Sequence, residues 1–206
     1  MIEVFSPKWY HIGKLEEEKQ KQVDELFKDF INNDNNFAQP PVWNCNLKSS
    51  FQHANNSTAS WDQWLEIIRP QFNEFVEEVG CLQDIEILLQ EAWVNKYRPG
   101  DSQELHTHCT PNTNISMVYF HTINKNDNCQ FKFYNQEYND YQLTGLSDLL
   151  KLPVSQNTIP KIEQGNIIFF PSFYPHLVSP HRGTSDRVTF AANFYIVPQG
   201  WAGDNK

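Results

Sequence analysis

Arginine is scarce in this chain. Only four occur among 206 residues, against twelve lysines, and the formal net charge is −9. An extended nucleic-acid surface needs clustered Lys and Arg to neutralise phosphates, so this composition argues against DNA or RNA as a direct partner. Cysteine is equally sparse and dispersed. Cys45, Cys81, Cys109 and Cys129 include no Cys-x-x-Cys pair, so cysteine alone does not build a structural zinc site. No apolar run approaches the length that crosses a bilayer. The opening Met1-Ile-Glu-Val-Phe lacks the basic start and apolar core of a secretion signal, so the expected partners include no membrane and the expected location is the cytoplasm. Asparagine, by contrast, occurs 21 times, which together with the excess of Lys over Arg is the bias that AT-rich coding produces.

Large rings are abundant. Phe, Tyr and Trp make up 14% of the chain, which suits a β-rich core, and 206 residues are enough to bury one without disulfides or structural zinc. A single domain over 1–206 is expected, with a helical N-terminal part over about 1–84 and a β core over about 85–198. Residues 15–31 place Val23, Leu26, Phe27, Phe30 and Ile31 on one helical stripe. Residues 32–36, Asn-Asn-Asp-Asn-Asn, read as a connector. Ser60-Trp-Asp-Gln63 is a capping-box pattern opening a second helix, which Pro70 kinks or restarts and Gly80 ends. From residue 85 the period becomes strand-like, over 85–97, 115–123, 130–134, 166–170 and 187–197. Short strands after N-terminal helices predict a mainly β fold, a double-sheet jelly roll with the helices packed on one side. Residues 135–163 interrupt the strand rhythm, include a short helix over 146–152, and are long enough to act as a lid.

Two histidines alternate in Glu104-Leu-His106-Thr-His108, and a third follows far downstream in Phe169-Phe-Pro-Ser-Phe-Tyr-Pro-His176. Alternate residues of a strand share a face, so His106 and His108 can point into one cavity and His176 can join them from another strand. Three convergent imidazoles make a facial metal cage resembling that of non-heme Fe(II), which usually takes two His and one carboxylate. Here a histidine stands at the carboxylate's place. Glu104 is the nearest replacement carboxylate, with Asp101 less favoured. Cys109 follows the pair but alternation turns it outward, as a wall residue. His11, His53, His121 and His181 lack this context, and His181 is the decoy that stands nearest His176. Further on, Arg187, Thr189, Ala191 and Asn193 share one face of a strand. A guanidinium there is either half of a surface ion pair or a bidentate clamp on a carboxylate. Asn95 and Asn193 sit in apolar strands, where they either line a cavity or tie down a loop. Trp93, Phe169, Phe170 and Phe173 read as core and pocket wall.

Taken together, Trp93-Val-Asn95-Lys-Tyr97-Arg-Pro-Gly100-Asp, His106-Thr-His108, Ser116-Met-Val-Tyr119-Phe, Gly165-Asn-Ile-Ile-Phe169-Phe-Pro171, Pro175-His176 and Arg187-Val-Thr189-Phe-Ala-Ala-Asn193-Phe resemble the 2-oxoglutarate/Fe(II) oxygenases of marine bacteria and their phages. The likeness is strongest over about 93–195 and looser in the N-terminal third, at Phe5-Ser-Pro and Trp43-Asn-Cys. It implies a double-stranded β-helix, Fe(II) on His106, His108 and His176, and 2-oxoglutarate as cosubstrate. It also implies that Arg187 holds the remote carboxylate of the cosubstrate with Thr189; Tyr119 and Asn193 are further candidates around that ligand. The implied setting is the cytoplasm of a bacterium or of a phage-infected cell. The substrate stays open between a small molecule and a peptide, and so does the oligomeric state, with a homodimer as one option. Two other readings remain: a three-His cupin-type dioxygenase that works without 2-oxoglutarate, and a non-catalytic jelly-roll module that binds a metal or ligand.

Overall fold

The computed structural model describes residues 8–81, 83–123, 129–149 and 155–200. Among these, β1 (His11–Lys14) precedes helix α1 (Glu17–Asn32), and the two-residue β2 (Lys48–Ser49) precedes helix α2 (Trp61–Val79). The long β3 (Ile85–Tyr97) then leads through β4 (Gln103–His106) into β5 (Ile115–Thr122) and β6 (Phe131–Tyr134). Two short helices, α3 (Tyr138–Leu143) and α4 (Leu146–Leu149), come before β7 (Asn157–Thr158), β8 (Asn166–Pro171), β9 (His176–Val178) and β10 (Arg187–Pro198).

The strands form two antiparallel sheets, one in the order β1-β8-β5-β10-β3-β2 and the other β4-β9-β6-β7. This is the expected mainly β, jelly-roll architecture with N-terminal helices. The N-terminal part differs in detail, because β1 and β2 are strands of the large sheet and not helical.

Period-two alternation gives that sheet two buried faces. On one face, Met117, Tyr119, Phe169, Phe190 and Phe194 pack under Val23 and Phe27 of α1 and Trp64, Ile68, Phe72 and Phe75 of α2. On the other face, Tyr97, Val118, Phe120, Ile168 and Phe170 meet Phe131, Phe133 and Val178 of the small sheet. Strands buried on both sides read as continuous apolar runs, and β5, β8 and β10 are such runs.

Helix α2 starts after Ser60, as the capping pattern predicts, yet the Ser60 side chain makes no capping bond. Pro70 lies inside the helix without dividing it, and Gly80 ends it with a positive φ of 70°. The segment 135–163 holds α3 as well as α4, and β7 closes against β6. None of its described residues lines the cavity described below, so a lid role finds no support in this arrangement. The predicted helix over 146–152 is described only as Leu146–Leu149, since 150–154 fall outside the described residues.

Candidate metal and cosubstrate site

Strands β4 and β9 pair so that His106 stands directly opposite His176. Their ring centroids are 4.2 Å apart, and His108 lies 5.1 Å from His106 and 5.0 Å from His176. β4 ends at His106, so His108 is positioned beyond the ladder by its own N–H, which donates to the Ser172 carbonyl at 2.9 Å. One ligand nitrogen of each ring falls within 4.8 Å of the other two.

The hydrogen bonds decide which nitrogen faces inward. A carbonyl only accepts, so His106 Nδ1–H donates to Glu104 O at 2.8 Å and His176 Nδ1–H donates to Tyr174 O at 2.9 Å. His108 Nδ1–H lies 2.8 Å from Asn193 Oδ1 and 2.9 Å from Ser116 Oγ. Asn193 in turn sends its Nδ2 toward Glu91 at 3.2 Å, which leaves its oxygen for His108. Each ring therefore carries its proton on Nδ1 and keeps a bare lone pair on Nε2, the arrangement that outer hydrogen bonds impose on metal-binding imidazoles. Burial and then the neighbouring rings push His108 down to about 3 and His176 well below its usual value; burial also lowers His106. All three are neutral near pH 7. A donor set of three neutral, convergent imidazoles suits a divalent transition metal.

Across the cavity, strand β10 sets Arg187 and Thr189 on the inter-sheet face, and β3 sets Tyr97, Asn95 and Trp93 beside them. Arg187 is only 1% exposed. Its guanidinium lies 5.3 Å from the Tyr97 ring and 5.6 Å from the Phe120 ring, and one terminal nitrogen donates to Cys129 Sγ at 2.8 Å. Among the described residues its buried Nε has no partner and no carboxylate pairs with it. A buried cation without a counterion is costly, so Arg187 favours an anion in this cavity. The remote carboxylate of 2-oxoglutarate fits that requirement. Asn95 and Trp93 line the same space, and Asn95 Oδ1 and Trp93 Nε1 are buried without a partner among the described residues.

Several expected site residues lie elsewhere. Tyr119 faces the helix side of the large sheet against Phe190 and does not reach the cavity, because alternation on β5 sends Val118 and Phe120 there instead. Asn193 shares the face of Arg187 but serves His108 and not the cosubstrate space. Glu104 turns away from the cluster: its carboxylate accepts the Asn44 N–H at 2.9 Å and stands near the Cys45 thiol, which burial and then that carboxylate push up to about 12. Asp101 caps the Arg98 N–H in a turn, and Cys109 is exposed and not a wall residue. Phe169 belongs to the helix-side core and Phe173 is 59% exposed, so of the four rings Trp93 is the one that lines the cavity.

The other histidines have structural partners. His11 meets Glu78, His121 meets Asp24, His53 accepts the Asn55 N–H, and His181 Nε2 donates to Ser185 O. Tyr97, Gln103, Ser116 and Cys129 are parts of the site that sequence reasoning missed. Tyr97 stands opposite Arg187 in the β3–β10 register, a pairing that sequence order alone does not reveal.

Solved structures with this fold include a prolyl hydroxylase from Trichoplax adhaerens, in complex with a hypoxia inducible factor oxygen degradation domain peptide fragment. It is 12% identical, with a TM-score of 0.62 over 90% of this chain and 83% of that one. A Pseudomonas putida prolyl-4-hydroxylase is 14% identical, with a TM-score of 0.57 over 94% of both chains. HygX from Streptomyces hygroscopicus, solved with nickel, 2-oxoglutarate and hygromycin B bound, is 8% identical, with a TM-score of 0.58 over 94% of this chain and 84% of that one. No curated protein sequence matches the chain. At these identities the likeness establishes the fold. The family model described as "Putative 2OG-Fe(II) oxygenase" matches residues 91–193, half of the sequence, and the chain belongs to that family of Fe(II)- and 2-oxoglutarate-dependent oxidoreductases.

Proposed function

We propose that this oxygenase hydroxylates a C–H bond of its substrate, with Fe(II) held by His106, His108 and His176 and 2-oxoglutarate anchored by Arg187 and Thr189. The observation that carries the reading is the buried guanidinium of Arg187, which pairs with no carboxylate among the described residues and shares one narrow cavity with the three-histidine cluster. When bound, iron and cosubstrate supply the oxidation: O2 is reduced, 2-oxoglutarate loses CO2 to become succinate, and the substrate C–H becomes C–OH. The chain's own residues bind, orient and exclude water. Three neutral imidazoles leave the divalent charge of the metal intact, and the 2-oxoglutarate dianion cancels it. Arg187 meets the far carboxylate with a planar, permanently charged fork, which sets the length of cosubstrate that bridges to the histidines. Phe120, Val118, Phe131 and Val178 line the space between them and keep it dry.

The cupin-type reading without 2-oxoglutarate leaves Arg187 with no role, and family membership sets it aside. The fold does not choose a substrate, since the solved relatives above include one bound to a peptide fragment and one bound to hygromycin B. We take the chain to act as one domain, because strands from both its ends share the large sheet. The test is anaerobic titration with Fe(II) and then 2-oxoglutarate, followed by succinate measurement in air. A charge-transfer band that forms only with both ligands, and succinate made from 2-oxoglutarate, are expected. Neither appearing would overturn the reading.

A further inference from the structure

We propose that Gln103 is a hydrogen-bond donor to the metal-bound, keto acid end of 2-oxoglutarate, held in that orientation by the hydroxyl of Tyr97; the inference rests on the proposed function and deepens it. Gln103 is 7% exposed at the start of β4 and lines the cavity. The direction of its amide follows from its neighbours. His106 gives its proton to the Glu104 carbonyl, so its Nε2 is a bare acceptor, and Gln103 Nε2 lies 3.4 Å from it. The NH2 group therefore faces the lone pair that the site offers to a metal, and Gln103 Oε1 faces the other way. There it accepts the Tyr97 hydroxyl at 2.8 Å. Burial raises the phenol's pKa and keeps it a donor.

This arrangement is incomplete without an oxygen on the metal. Once His106 commits its lone pair, the Gln103 N–H groups lose that acceptor, and a buried donor left unpaired is costly. Tyr97 also lies against the Arg187 guanidinium, its ring 5.3 Å away. A dicarboxylate held by Arg187 at one end and the histidines at the other would pass Tyr97 and Gln103, and its keto acid oxygens would meet the waiting donor. Tyr97 is thus a positioning residue, and Gln103 touches the cosubstrate.

The test uses the full chain loaded with Fe(II) without oxygen and titrated with 2-oxoglutarate, reading affinity and the wavelength of the charge-transfer band. Gln103→Leu should weaken 2-oxoglutarate by about tenfold or more, as expected for a hydrogen bond to a charged acceptor. It should also move the band to shorter wavelength, because a donor on the keto oxygen lowers the orbital that receives the electron. Fe(II) affinity should stay close to that of the parent. Tyr97→Phe should shift both readouts in the same direction by less, and add nothing in the double variant, since both changes remove one interaction. A Gln103→Leu protein that binds Fe(II) normally and shows the parent's 2-oxoglutarate affinity and band overturns the inference. Should that variant fail to bind Fe(II), parent-like values in Tyr97→Phe overturn it instead. A parent that binds Fe(II) but not 2-oxoglutarate overturns the proposed function itself.

Discussion

Arg187 and Asn193 lie six residues apart on one strand face and serve opposite ends of the site. Arg187 has a buried charge and, among the described residues, no carboxylate partner, so Arg187→Ala should lower 2-oxoglutarate affinity by roughly tenfold or more while Fe(II) affinity holds, because a charge-assisted fork is removed and no metal contact is touched. Calorimetry with each ligand measures both; equal 2-oxoglutarate affinity would remove Arg187 from the site. Asn193 bonds His108 and so acts on the metal. Asn193→Ala should weaken Fe(II) by about 10–100-fold, the range typical of lost outer partners, whereas Glu104→Gln should leave it unchanged because that carboxylate points at Asn44. Iron content after gel filtration separates the two. Asn193 was a sequence-level candidate for the cosubstrate, and its face was legible; its partner was not, since nothing in the residue order tells how far along the cavity an amide reaches.

At the scale of elements, the turn before β8 ties the segment ahead of α1 to the large sheet. Gly165 has a positive φ of 85°, and its carbonyl accepts the Leu15 N–H while its own N–H donates to Phe120 O. A Cβ there would collide with the Gln20 side chain of α1. Gly165→Ala should cost about 1–2 kcal/mol from backbone conformation alone, with further loss if Gln20 cannot move. Thermal unfolding reads this directly, and an unchanged melting temperature would refute it. The strands over 85–97, 115–123 and 187–197 were legible because they are rich in β-branched and aromatic residues and bounded by turn residues. The two-residue β2 and β7 were not, because such short strands exist only through their partners.

Across the whole molecule, the site couples acidity to stability. His106, His108 and His176 have lowered pKa values in the folded chain, mainly from burial, whereas the unfolded chain titrates near the ordinary value of about 6.5. Below that value the unfolded state binds more protons, so the metal-free protein should lose stability as pH falls from about 6.5 toward the folded values, near 3 for His108. The same burial keeps lone pairs available in the folded chain. The melting temperature of metal-free protein should fall between pH 7.5 and 5.5, and the drop should narrow in His108→Gln. A drop of the same size in the variant would show that other groups are responsible.

Residue order alone was enough to predict a mainly β jelly roll with two N-terminal helices, and with the family resemblance it marked the three histidines and Arg187 as candidates for one site. Those depend on local periodicity, capping and the chemistry of side-chain types, which the chain carries wherever it folds. The tertiary structure decided which face of each doubly buried strand meets the small sheet. An apolar run reads the same on both faces, and so Tyr119 fell to the helix core while Tyr97, paired across to Arg187, fell to the cavity. It also decided that Glu104 serves the Asn44 backbone while Gln103 lies against His106. Regular alternation would put Glu104 on the face of His106, and the register shift between Gln103 and His106 in the β4–β9 pairing turns Gln103 there instead.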